Sequence, residues 1–216
     1  MHHPAHAHHF ETMEQQQEAS TLGMWIFLVT EVMFFGGLFA AYMLYRIWFP
    51  EAWSEGSREL DIVLGAINTG VLIGSSLTMA FAVRSAQTGG RKSTVTWLLL
   101  TMALGLTFLV IKFFEYKHKY ELGHIPGPNF HFEGVHADQV EIFISLYFAM
   151  TGLHALHMLI GFGIMSVITW MAWKGRFSPQ WYTPVELAGL YWHFVDIVWI
   201  FLFPLLYLVD RAHHFA

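Results

Sequence analysis

The sequence predicts an all-α membrane protein, a bundle of five transmembrane helices. Three observations predict it. Of the 216 residues, 55% are hydrophobic and only 12% charged, about half the charged share of an ordinary soluble domain, roughly 25%. Five apolar runs are each long enough to cross the ~30 Å hydrocarbon core of a bilayer at ~1.5 Å per residue. The segments between them are too short for a soluble domain, and no internal repeat, phosphate-cradling glycine motif or nucleophile elbow interrupts the pattern. Composition also excludes function classes. A net charge of −5 argues against nucleic acid, which needs a basic footprint. The absence of cysteine removes disulfides, thiolate metal sites and cysteine nucleophiles.

Residues 1–20 form a polar tail in which His2, His3, His6, His8 and His9 precede a Glu/Gln-rich run. Such a tract is either a metal-binding segment or a solvated tail. It has no basic stretch leading into a short apolar run, so it does not read as a signal peptide. A single membrane domain spans 21–211, followed by a short tail at 212–216. Its first span, 22–48, carries Glu31 about a third of the way along, too deep to snorkel to the interface. Gly36 with Ala40, and Gly37 with Ala41, place small residues four apart, where another helix can approach closely. Glu31 reads either as a protonated carboxyl hydrogen-bonded across a helix pair or as a proton-active, lipid-facing group.

The second span covers 62–83 and the third 94–114. At the end of the third, Lys112, Glu115 and Lys119 fall at i, i+3 and i+7, share a face and can pair; so near a helix end they read as a structural ion pair with snorkelling lysines. The fourth span, 140–173, contains 32 consecutive residues without Asp, Glu, Lys or Arg. It exceeds what the hydrocarbon core requires and is expected to tilt or project. Within it His154, His157 and Gly161 lie on one face. Two histidines three apart suit haem or copper ligation or, as the default, hydrogen bonds between helices.

The fifth span, 185–209, aligns Glu186, Gly189, His193 and Asp196 at i, i+3, i+7 and i+10, a polar stripe down half the helix. Trp192 and Trp199, seven apart, border it. An Asp at the centre of a span costs about 2.5 to 3.5 kcal/mol on insertion scales. The stripe therefore suggests a hydrogen-bonded network, a proton path or contact with lipid head groups. Orientation rests on loop shape, because Arg84, Arg91, Lys92, Lys174 and Arg176 are matched in number by Arg46, Arg58, Lys117, Lys119 and Arg211 on the other side. The first five sit in compact loops free of acids, which places those loops in the cytoplasm, the N-terminus inside and the C-terminus outside.

Four of these segments together resemble subunit III of cytochrome c oxidase, in the haem–copper oxidase superfamily. The matching pieces are Trp-x-Phe-x-x-x-Glu-x-x-Phe-Phe-x-Gly-x-Phe from Trp25 through Glu31 to Phe39, the pair Glu115-Tyr116, Thr-Gly-x-His-x-x-His from Thr151 to His157, and Glu186 followed by Tyr-Trp-His-Phe-Val-Asp-x-Val-Trp from Tyr191 to Trp199. The resemblance implies an accessory membrane subunit without a redox centre. Its partners are then subunits I and II, which hold the haem and copper, in a proton-pumping terminal oxidase that passes electrons from cytochrome c to dioxygen, within a larger respiratory supercomplex in some settings. Bound phospholipid, support of proton uptake and durable turnover are further family traits.

By the same resemblance, Glu31 is the family's carbodiimide-reactive carboxyl. Glu115, His154, His157, Glu186, His193 and Asp196 become a structural or lipid-contacting polar network, with no catalytic or metal-ligating residue among them. The family usually has seven helices. This chain matches from the third onward, as in short forms of the bacterial cytoplasmic membrane where subunit I carries the missing pair, and the family's inside N-terminus is kept. Lys112 stands where a Gln is common. The alternative identity is the related accessory subunit of nitric oxide reductases. A self-sufficient ion transporter would call for discontinuous helices or an inverted repeat, and the sequence has neither.

Overall fold

A computed structural model describes residues 10–127, 130, 132 and 135–209. The His-rich stretch from His2 to His9, Arg211 and the 212–216 tail lie outside the described residues. Among those described there are six helices: α1 Met13–Trp48, α2 Pro50–Arg58, α3 Ile62–Gln87, α4 Arg91–Glu121, α5 Ala137–Trp173 and α6 Thr183–Tyr207. All but α2 are long and apolar enough to cross a membrane. The chain is a multi-pass helical bundle, and the five expected spans are present.

The differences from expectation lie at the ends and in one loop. Where the sequence suggested a tail to residue 20, α1 starts at Met13. Thr12 caps it by accepting from the Gln15 amide at 3.1 Å, while the Gln15 side chain accepts from the Glu11 amide at 2.7 Å. This Thr-x-x-Gln pairing satisfies amide groups that the helix itself cannot. α2 occupies a stretch expected to be loop. Pro50 presets its first turn, and Ala52, Trp53, Gly56 and Ser57 give it one buried face. Its nine residues are too few to form an apolar run of membrane length. α4 continues to Glu121, beyond the expected end near 114, because the polar groups of its last turns find partners inside the bundle.

α6 is the centre. Thirteen of its residues are buried, from Val185 to Tyr207, whereas α1 buries only Leu28, Phe35 and Tyr42, a single line seven residues apart. α6 packs on α3, α5 and α1, and α4 fits between α3 and α5. Two glycines on different helices let the bundle close on one side chain of α6. A Cβ on Gly105 of α4 would stand 2.8 Å from Trp192 Cζ2, and one on Gly161 of α5 2.9 Å from Trp192 Cζ3. The Trp192 indole is thus wedged between glycine faces of two helices. α5, at ~1.5 Å per residue, runs about 55 Å.

Candidate functional site

The polar groups singled out in the sequence occupy three places. The first lies between α1 and α5. Glu31 Oε2 is 3.0 Å from His157 Nε2, joining residues 126 apart. His157 Nδ1 is 2.9 Å from the Leu153 carbonyl, and a carbonyl only accepts, so Nδ1 carries a hydrogen. One further proton then occupies the Glu31–His157 contact: it belongs to the carboxyl if the imidazole is neutral and to Nε2 if both are charged. Phe35 lies 5.1 Å from the imidazole, centroid to centroid, and the Tyr191 hydroxyl donates to the His157 carbonyl at 3.1 Å. The Glu31 side chain keeps 18% of its surface exposed, so this contact lies at the edge of the bundle.

The second place is the seam between α3 and α6. Trp192 Nε1 donates to Ser75 Oγ at 2.9 Å, and Ser75 donates to the Thr101 carbonyl at 3.2 Å. Trp199 Nε1 donates to Thr69 Oγ1 at 3.1 Å. Ser76 Oγ and His193 Nδ1 are 2.6 Å apart. Asp196 is buried beside them, and neither carboxyl oxygen meets a hydrogen bond of good geometry among the described residues; the Ser76 hydroxyl, already engaged by His193, is the polar group acting on it. Gly189 brings α6 against Val83, its missing Cβ leaving 3.0 Å to that side chain. Glu186 stands apart in the first turn of α6, where the helix dipole favours an acid.

The third place is enclosed by α4, α5 and α6. Lys112 Nζ donates to Glu115 Oε2 at 3.0 Å, to the Tyr207 hydroxyl at 2.6 Å and to the Tyr147 hydroxyl at 3.3 Å. Both tyrosines donate in turn to Glu115 Oε1, at 2.5 and 2.7 Å. The ammonium also lies 4.8 Å from the Trp199 ring, close enough for cation–π attraction. The ion pair expected from spacing is therefore present, but Lys112 does not snorkel. It lies two turns inside α4, and the surrounding aromatic side chains leave it 5% exposed. Lys119 donates to the carbonyl of Glu59, the residue that caps the C-terminal end of α2.

One further expectation is corrected. His154 makes no hydrogen bond among the described residues; Phe108 and Trp199 close around it at 5.4 and 5.3 Å. The default reading of inter-helix hydrogen bonding thus holds for His157 and fails for His154. Among the described residues, a Cβ on Gly36 or Gly37 of α1 would meet nothing within 4 Å. What the sequence reading passed over are the partners: Thr69, Ser75, Ser76, Thr101, Tyr147 and Tyr207. Hydroxyl residues at helical spacing within apolar spans were the available signal. Among the described residues, no three His, Asp or Glu side chains converge to hold a metal ion.

Fold and site define a class: a multi-pass membrane bundle whose buried acids and bases are held largely by one another and by aromatic neighbours. The chain belongs to the cytochrome c oxidase subunit III family, whose profile matches residues 5–210. It is 33% identical to cytochrome c oxidase subunit 3 of Thermostichus vulcanus, over 95% of this chain and 92% of that protein. Identity with cytochrome c oxidase subunit 3 of Corynebacterium diphtheriae is 35%, over 88% of each. With quinol oxidase subunit 3 of Bacillus spizizenii it is 32%, over 97% of this chain and 98% of the relative. The chain matches these bacterial proteins over most of their length.

Proposed function

We propose that this chain is the accessory subunit III of a haem–copper terminal oxidase, packed against subunits I and II in a bacterial cytoplasmic membrane with its N-terminus inside. It carries no redox centre of its own in this reading. The ring nitrogens of His157 are both engaged, by Glu31 and by the Leu153 carbonyl, and those of His154 are enclosed by aromatic rings, so neither histidine is presented as a ligand. Haem and copper then belong to the partners, and electrons enter there. Relatives named for cytochrome c and for quinol oxidases leave both donors open to the partner subunits.

The observation that carries the proposal is the Glu31–His157 contact at the edge of the bundle. It joins two helices through a single hydrogen bond, and it lies on the helix with the least internal packing. In this reading the open face of α1, with Gly36, Gly37, Ala40 and Ala41, receives helices of subunit I and bound phospholipid, and the contact tunes that packing beside the proton-uptake path. Support of proton uptake and of turnover durability follows from that position. The test is to purify the native complex with Glu31 intact and as Glu31→Gln. Haem-bearing chains should co-purify with both, with unchanged haem spectra, and the variant should lose activity faster during turnover or pump fewer protons per electron. Haem loss in Glu31→Gln, or a haem spectrum from the isolated chain, would refute the assignment.

A further inference from the structure

Between the first turns of α4 and the last turns of α5 lies a groove of about 470 Å³, lined chiefly by Val95, Leu99, Met102, Trp170 and Trp173. Two hydroxyls border it, yet neither makes it polar. Ser166 donates to the Phe162 carbonyl of its own helix at 2.7 Å, and the Thr169 hydroxyl lies 3.9 Å from the Met102 sulfur. The groove is on the membrane-spanning part of two helices, and α1 contributes nothing to its lining. It is therefore separate from the α1 face invoked above.

One end of the groove is surrounded by cations. Lys174 Nζ stands 5.9 Å from the Trp170 ring centroid and Arg176 Cζ 5.7 Å from it. Arg91, one turn before Val95, donates to the Trp173 carbonyl. No Asp or Glu occurs in residues 84–92 or 174–185. Among the described residues, none of these three cations forms an ion pair with a carboxylate. The first turn of α4, with Gly90 as N-cap and no capping side chain, adds the positive end of a long helix to the same place. Apolar groove, interfacial tryptophans and uncompensated cations thus follow one another in the order of a phospholipid's acyl chain, glycerol region and phosphate.

We propose that this groove holds one acyl chain of an anionic phospholipid, whose phosphate is bound by Lys174, Arg176 and Arg91. The commitment to an anionic lipid rests on charge. A zwitterionic head group carries its own cation and leaves the three side chains uncompensated, whereas an anionic one neutralises part of their charge. With the compact loops in the cytoplasm, the site faces the leaflet where anionic lipids set the surface potential.

The test counts tightly held lipids in the purified complex, whatever chains accompany this one. The complex is equilibrated in nanodiscs of equal phosphatidylglycerol and phosphatidylcholine, extracted in mild detergent and analysed by native mass spectrometry. The unmodified complex is expected to retain at least one phosphatidylglycerol that Lys174→Gln/Arg176→Gln loses, with affinity reduced on the order of tenfold or more at low salt. Leu99→Trp, which fills the groove and leaves the cations, should lose the same molecule. Raising the salt on the unmodified complex should weaken its retention as well, a readout that does not depend on a variant's assembly. Equal retention of both lipids, or a phosphatidylglycerol count unchanged in both variants, overturns the proposal. So does loss in only one variant, which would leave either a head-group patch without a groove or a groove without charge selection.

Discussion

Two acid–base contacts of the same length, 3.0 Å, sit in this bundle, Lys112 with Glu115 and Glu31 with His157, and their surroundings differ. Lys112 and Glu115 lie within one helix, and two tyrosine hydroxyls close the ring of hydrogen bonds around them. Such a pair has its desolvation offset by partners on every side, and it resists any change in one member. Glu31 and His157 lie on different helices and meet through one hydrogen bond, on a helix that fully buries only Leu28, Phe35 and Tyr42 among its described residues. That contact has room for a partner chain or lipid to alter it. The distance between charges is thus a poor guide to what a buried pair does; the number of groups that also hold it is a better one.

The difference can be broken or sharpened by five single substitutions and one double one, measured as thermal unfolding in detergent. Lys112→Met should have the largest effect, about 3–5 kcal/mol, because it leaves the Glu115 carboxylate enclosed without its cation. Adding Glu115→Leu should recover much of that loss; no recovery would mean that the tyrosine hydroxyls, rather than the charges, hold the site. Gly161→Ala comes next, at about 1–3 kcal/mol, since its methyl group would press on the Trp192 ring one turn below His157. Its counterpart Gly36→Ala should leave unfolding unchanged or slightly raised, because no described residue comes within 4 Å of where its Cβ would stand. Glu31→Gln should cost only about 0.5–1.5 kcal/mol; a loss as large as that of Lys112→Met would erase the distinction between the two contacts. Lys117→Ala should also stay within ~0.5 kcal/mol, since Lys117 and Glu121 pair at 3.7 Å in the open.

The sequence made the polar positions legible because each stands out in an apolar run. Glu31, Glu115, His157, His193 and Asp196 were visible for that reason, and the five spans for the length of the runs around them. Spacing also revealed Lys112 with Glu115, because the pair lies within one helix. It could not reveal Glu31 with His157, which depends on how α1 and α5 approach each other. Nor could it separate His154 from His157, since their difference arises from Phe108 and Trp199 closing on one and Glu31 reaching the other. α2 escaped because a nine-residue helix carries its signal in one buried face, with Trp53 against Phe143, and not in hydropathy. The extension of α4 escaped because its charged turns look like a helix end until their buried partners are known.

The position of α6 has a consequence for biogenesis. It is the last of the five spans in chain order and the one around which α3, α5 and α1 are arranged. Spans leave the ribosome N-terminal end first. Until α6 enters the bilayer, Thr69 and Ser75 lack their tryptophan donors, Lys112 lacks Tyr207, and Gly105 and Gly161 face each other without the indole that fills the space between them. The α3–α4 pair can close on its own contacts, whereas every seam that involves α6 forms last.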